Sequence, residues 1–240
     1  MKRVIVTGAA LGLGIALLAA APPRPAAAKA SPPQSSAYGK TLAQWMQIYW
    51  TWAFGGGSDQ VGRVKLLGIP SETYLGGSFT YADPGILAGH LDVTLPPGTP
   101  FVLPAVAWSL ERYAHPVPGY PDDPPIPAEY FTDPSKAVVQ VYLDGKAVMD
   151  STKASVAPYY FGLVPLNVTY PAPTSYGSIG AIGIQGVGAV YEPLSVGVHT
   201  LTLKDVQRIP PDPAFLNTDL YPAGSGVVFE NSWTIRVSPK

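Results

Sequence analysis

The sequence predicts an all-β domain, a β-sandwich or jelly roll with one aromatic helix packed on it. Three observations carry this. The 240 residues include 28 prolines and 25 glycines, set among short apolar runs that alternate with period two and end at turn residues. A single stretch, residues 38–55, has strong helical period, and it holds three of the five tryptophans. There is no cysteine, so the fold must rest on an apolar core and can have neither disulfides nor a thiolate metal site.

Residues 1–30 read as a secretory signal peptide. Lys2 and Arg3 precede an uncharged apolar run over 4–21, and Ala26, Ala28 and Ala30 offer small-residue cleavage sites. The implied location is secreted or periplasmic. Left uncleaved, the segment approaches the length of a membrane span. That anchor is the one expected membrane contact, and Pro22, Pro23 and Pro25 favour its removal. Cleavage takes away Lys2, Arg3, Arg24 and Lys29, so 15 basic residues become 11 against 16 acidic ones and the net charge moves from −1 to −5. A mildly acidic chain with scattered basic residues is a poor partner for nucleic acid.

The leader also holds a false dinucleotide signature. Residues 7–14 fit T-G-x-x-x-G-x-G, and Tyr142 with Lys146 fits Y-x-x-x-K. A dinucleotide site needs a strand, a tight turn and a helix in one βαβ unit. Here prolines follow instead, and Tyr142 and Lys146 flank the hairpin turn Asp144-Gly145. No dinucleotide and no other cofactor is expected.

Residues 31–37 are a linker by composition, and 38–240 form one domain. The helix is expected over 41–54. Thr41 and Gln44 have capping-box spacing, and Gly55 begins a glycine stop. Leu42, Trp45, Met46, Tyr49, Trp52 and Ala53 form the buried stripe. Trp50 falls off it, so either the helix is buried on a second side or Trp50 lines a cleft.

Short strands are expected within 61–69 and 75–81. At 90–95, Leu91, Val93 and Leu95 alternate with His90, Asp92 and Thr94, a half-buried strand. Pro96, Pro97 and Gly98 then turn the chain, and 101–108 is expected to return beside it as a hairpin. Pro104 marks an edge or a bulge there. Residues 109–136 are proline-rich and read as a long irregular loop. Strands follow at 137–143 and 146–150 around Asp144-Gly145, within 159–170, and at 178–190, where Gly180, Gly183, Gly186 and Gly188 allow close backbone approach. Alternating strands at 198–203 and 226–237 complete the set, with Trp233, Ile235 and Val237 on one face.

The order of features resembles an uncharacterised family of secreted bacterial β-rich proteins with an N-terminal Trp-rich helix. The motifs that carry the resemblance are the aromatic run at 38–53, the Leu-Pro-x-Gly-Thr segment with its later proline at 95–104, and Gly-x-His-Thr-Leu at 197–201. The resemblance implies a secreted β-rich domain and no known activity or catalytic residues.

Three site readings follow. In the first, the protein is non-catalytic and binds a glycan or another cell-envelope component through rings. Trp50, Trp108, Tyr113 and Tyr120 are the contact candidates, because large amphipathic rings stack on sugars. In the second it is a secreted hydrolase acting on a polysaccharide or ester. Asp92, Glu111, Glu129 and Glu192 are its candidate acids, needing a separation of ~5 Å or ~6.5–9.5 Å for glycosidase chemistry. A converging Ser/His pair would serve instead, although no Gly-x-Ser-x-Gly elbow is present. In the third, His90, Asp92 and His199 hold a metal. His90 and Asp92 share one strand face, and two histidines with a carboxylate suit zinc, copper or iron. The competing structural readings are core packing for the rings and a wet sheet face for the polar residues.

Overall fold

A computed structural model describes residues 30–31, 36–117, 120–175, 177–208 and 224–239, with side chains throughout except at 115–117, 120 and 121. Residues 1–29 of the signal peptide expected over 1–30 lie outside the described residues, as do residues 32–35 of the expected linker.

Helix α1 spans Leu42–Gly55. Thr41 caps it: its Oγ1 accepts from the Gln44 amide at 3.2 Å, and Gln44 Oε1 accepts from the Thr41 amide at 2.9 Å, so two of the orphan donors at a helix start are satisfied. Gly56, with φ of 76°, ends it and returns its amide to the Trp52 carbonyl. Leu42, Trp45, Met46 and Tyr49 are buried as the period predicts. Trp52 is half-buried and Ala53 exposed. The buried rings keep their polar ends paired: Trp45 Nε1 donates to the Ala37 carbonyl and Tyr49 Oη to that of Leu67, both at 2.7 Å.

Twelve strands among the described residues form two sheets of six. The first is built from β1 (Gln60–Val61), β2 (Val64–Leu66), β5 (Phe101–Val117), β6 (Tyr120–Asp122), β9 (Val164–Thr169) and β10 (Ser178–Tyr191). It runs β1-β2-β5-β10-β9, with β6 also on β5. The second runs β3-β4-β12-β11-β7-β8, from β3 (Thr73–Gly76), β4 (Gly85–Leu95), β7 (Ala137–Leu143), β8 (Lys146–Asp150), β11 (Gly197–Arg208) and β12 (Gly226–Val237). The predicted all-β sandwich with an N-terminal helix is the observed architecture.

The layers follow from which faces are apolar. Between the sheets lies the main core, where Phe101, Leu103 and Tyr191 meet Val139, Val141, Leu201, Leu203, Trp233 and Ile235. On the opposite face of the first sheet, α1 packs Leu42, Trp45, Met46 and Tyr49 onto Val64, Leu66, Val102, Val164 and Ile184. The first sheet is therefore covered on both sides. This explains why its central strands, β5 and β10, read as continuous apolar runs, whereas β11 in the second sheet alternates. Gly188 lets the helix settle: a Cβ there would lie 2.6 Å from Met46 Cε and 3.1 Å from Pro104 Cα.

Two expectations are corrected. Residues 90–95 and 101–108 do not form a hairpin. Strand β4 pairs with β3 and, in parallel, with β12, while β5 pairs with β10, β2 and β6. The 96–100 turn thus carries the chain from one sheet to the other. The difference in apolar pattern between the two strands, one half-buried and one buried on both faces, was the sign of this. Nor is 109–136 one long loop. Strand β5 continues through Val117, β6 follows at Tyr120–Asp122, and a short helix α2 occupies Glu129–Thr132. The stretch pairs with Ser178–Ile184 of β10, and the absence of proline from 105 to 115 leaves its amides free to do so.

Candidate functional site

Pro104 organises an opening in the first sheet. Strand β2 pairs with β5 only at Phe101 and Val102, and β6 takes up that side again at Arg112. Between them that edge of β5 has no strand partner among the described residues. Proline is suited to such an edge because it has no amide hydrogen to leave unpaired. A register shift follows at once, where Val187 and Gly188 face Val106 and Pro104. Pro104 thus sits at both an edge and a bulge.

Beside this gap lies a cavity of about 220 Å³. Its walls come from five parts of the chain: residues 103–107 of β5, the inward side chains of β11 and of β12, Ile69 and Glu72 from the segment before β3, and Trp50 from α1. Trp50 thus lines a cleft, held between Phe54 and the edge of Tyr49 at centroid distances of 5.4 Å each.

The polar groups come from the inward face of β11 and β12. Alternation buries His199, Leu201, Leu203, Asp205 and Gln207 in turn. Asp205 is 2% exposed and Asn231 4%. Trp108 Nε1 donates to Gln207 Oε1. Because an indole is only a donor, this fixes the amide, and Gln207 Nε2 is turned to donate to Asp205 Oδ2 at 2.5 Å. Asn231 Nδ2 donates to Glu72 Oε1 at 2.6 Å. Three buried atoms of the lining, Asp205 Oδ1, Asn231 Oδ1 and Trp50 Nε1, have no hydrogen-bond partner among the described residues. Buried polar atoms in native proteins are overwhelmingly paired, so three on residues that line one cavity single it out as the candidate site. Burial pushes the Asp205 carboxyl up to about 8, opposed by the Gln207 hydrogen bond and aided by the charge of Glu72. Asp205 therefore carries its proton at pH 7, and with Oδ2 accepting from Gln207 the proton belongs on Oδ1.

The other ring candidates fare differently. Trp108 is half-buried and positions Gln207. Tyr113 donates to Asp123 Oδ2 at 3.1 Å. Tyr120 lies in β6, and its side chain is outside the described residues. Trp45 and Trp233 are fully buried, so neither offers an open face, and Trp50 and Trp233 act as walls of the cavity.

The four candidate acids are scattered. Asp92 is exposed on β4. Glu129 is exposed at the start of α2, 3.2 Å from Lys136 Nζ. Glu192 is exposed just after β10. Glu111 is buried, accepting from Ser109 and Tyr170, and its neighbour is Asp123, which burial raises to about 6. The carboxyls that share the cavity are Glu72 and Asp205, neither of which sequence reasoning singled out. The available signal was the inward alternation of 199, 201 and 203, which continues to an aspartate at 205.

The proposed metal trio does not assemble. His90 and Asp92 point outward from β4, where His90 meets Ser232 and Thr234. His199 faces inward, because it pairs with the buried Ile235 on β12. Alternation puts the two histidines on opposite faces of one sheet. No group of three or more potential ligands that could hold a metal occurs among the described residues. His199 instead bonds Asp144 Oδ2 through Nδ1 at 2.8 Å, while Nε2 lies 2.9 Å from the Ser195 carbonyl and 3.3 Å from Ser195 Oγ. This resembles a Ser-His-Asp array, but Nε2 lies nearer to the Ser195 carbonyl than to Ser195 Oγ, so the ring is not aimed at the hydroxyl as a general base would be. The arrangement clamps the β7–β8 turn to the segment before β11.

No protein-family model, curated protein or solved structure matches the chain. Among the described residues no helix is long and apolar enough to cross a membrane.

Proposed function

We propose that the protein is a secreted or periplasmic binding module whose cavity between α1 and the two sheets takes a glycan end or a similar polyhydroxylated envelope component. The observation that carries this is the set of three unpartnered buried atoms on residues that line one cavity, mixed in donor and acceptor character, together with the rings of Trp50, Phe229 and Trp233 in its walls. Hydroxyl groups both donate and accept, so a polyol satisfies such a set. At about 220 Å³ the cavity is below the ~300–1,000 Å³ of drug-sized sites, which suits one sugar unit or a chain end. The leader over residues 1–30 supports export. The test is glycan-array binding by the protein from residue 31 onward. Signal with the native protein that is lost in Trp50→Ala, at a temperature where the variant is still folded by its cooperative melt, is expected. Absence of any signal across neutral and amino-bearing glycans would remove the reading.

A second reading, a polysaccharide hydrolase, is favoured by one observation: Glu72 and a protonated Asp205 line the same cavity, the acid and carboxylate roles of glycoside hydrolysis. Release of reducing ends that disappears in both Glu72→Gln and Asp205→Asn would establish it. Binding without turnover supports the first reading.

A further inference from the structure

We infer that the cavity recognises an ammonium group with a hydroxyl beside it, so that its ligand is an amino sugar or another amino alcohol rather than a neutral sugar. The inference rests on the reading of this cavity as a ligand site.

The lining decides the sign of the ligand. It carries two carboxyl groups, Glu72 and Asp205, and no lysine, arginine or histidine. An anionic ligand would face Glu72 with no positive partner. A cation meets both acids, and Trp50 and Phe229 line the same cavity beside them. The hydrogen-bond inventory agrees. Asn231 Oδ1 is an acceptor only, and Asp205 Oδ1 becomes one when it ionises. Trp50 Nε1 is a donor. Two acceptors suit an ammonium, which has donors and no acceptor, and the single donor suits an adjoining hydroxyl oxygen. Asp205 and Asn231 are each more than nine-tenths buried and are set by Gln207 and Glu72 respectively, so the acceptors are built into the fold.

Asp205 is the group that changes state. With its carboxyl raised to about 8 by burial, it is protonated in the free protein at pH 7 and releases that proton when an ammonium arrives. The charged or titratable group facing it from the lining is Glu72. From β7 and β12 its paired residues are Val139 and Phe229, which do not titrate. For a ligand that stays cationic throughout, affinity therefore rises about tenfold from pH 6 to pH 7 and levels off above about pH 8, the behaviour of one linked proton.

The experiment is a set of tryptophan-fluorescence titrations of the protein from residue 31 onward, with ethanolammonium, glucosamine and methyl glucoside as probes. Glucosamine is expected to bind at least tenfold more tightly than methyl glucoside at pH 7, and ethanolammonium to show the tenfold rise per pH unit below pH 8. Asp205→Asn, close to isosteric, is expected to abolish that pH slope. Glu72→Gln, at an exposed position, is expected to weaken both amines several-fold while leaving the slope. Methyl glucoside binding as tightly as glucosamine overturns the ammonium inference and leaves the glycan reading standing. Binding of neither class removes both.

Discussion

Two opposed effects act on Asp205: burial favours the neutral acid, and Gln207 favours the anion. Burial wins, and the carboxyl sits at about 8. In the unfolded chain it returns to about 3.9. Between these values the folded state binds the extra proton, so this residue makes stability fall as pH rises from about 4 to about 8 and adds no further slope above that. Asp123, raised to about 6 chiefly by burial, acts in the same direction over a shorter window. Asp205→Asn removes the ionisable group, so we expect the variant to be more stable than the native protein at pH 8 by about 1–3 kcal/mol and nearly equal at pH 4. Urea denaturation at the two pH values measures the difference, and an equal gain at both would show that Asp205 is not the group responsible. Asp150 works in the opposite sense. Hydrogen bonds from Thr152, Lys153, Tyr142 and Gln140 hold it below the usual carboxylate range, so its contribution is present above pH ~4 and is lost as pH falls below that. Asp150→Ala should lower stability at pH 7 by about 1–3 kcal/mol, with the deficit shrinking toward pH 2. Sequence alone placed Trp50 off the helix stripe but did not select Asp205. A single strand read by alternation shows which residues point inward, whereas the register of β11 on β12 and the missing strand beside β5 decide which inward residues meet a cavity.

For the elements, the same contrast separates what was legible from what was not. Helix α1 could be read because cap, stripe and stop all lie within 16 consecutive residues, Thr41 to Gly56. The hairpin turn Asp144-Gly145 could be read for the same reason: both residues have positive φ, 50° and 73°, as a tight two-residue connection between twisted strands requires. The hairpin that nearness in sequence suggests for 90–95 and 101–108 does not form, because the two strands belong to different layers. A joint between layers gives a further prediction. Helix α1 rests on β10 through Met46 at Gly188, where an added Cβ has no room. Gly188→Ala should therefore cost about 1–3 kcal/mol by overpacking, and adding Met46→Ala should recover part of that loss although it is itself destabilising. Thermal melts of the two single variants and the double variant read the coupling directly. Additive losses would mean that Met46 already moves aside. By contrast, Trp45→Ala empties a fully buried site and should cost about 3–5 kcal/mol with no compensating partner.

The second sheet of the molecule is closed by its last strand. Strand β12 sits between β4 and β11, pairing in parallel with β4 from Val227 against Gly85 to Val237 against Leu95, and antiparallel with β11 from Gly226 to Val237. It brings Trp233 and Ile235, both at 0% exposure, into the main core, and Asn231 into the cavity. Residues 85–95 therefore wait for a partner more than half the chain away, and loop-closure entropy has to be overcome before that pairing returns any stability. Without β12 the two halves of the sheet, β3-β4 and β11-β7-β8, lose their common member and expose two long edges of unpaired backbone amides and carbonyls. A chain ending at residue 225 is thus expected to lack a cooperative thermal transition and to aggregate, even though α1 and eleven of the twelve described strands remain in its sequence. Near-ultraviolet circular dichroism and calorimetry of the truncated protein make the measurement. A sharp transition near the native temperature would show that the first sheet and α1 form a core of their own. The full-length chain, dominated by pairing between distant segments, should refold on the millisecond-to-second scale rather than in microseconds. Its tryptophan signal should also recover in the same phase in which the cavity forms, since Trp233 and Asn231 arrive on one strand.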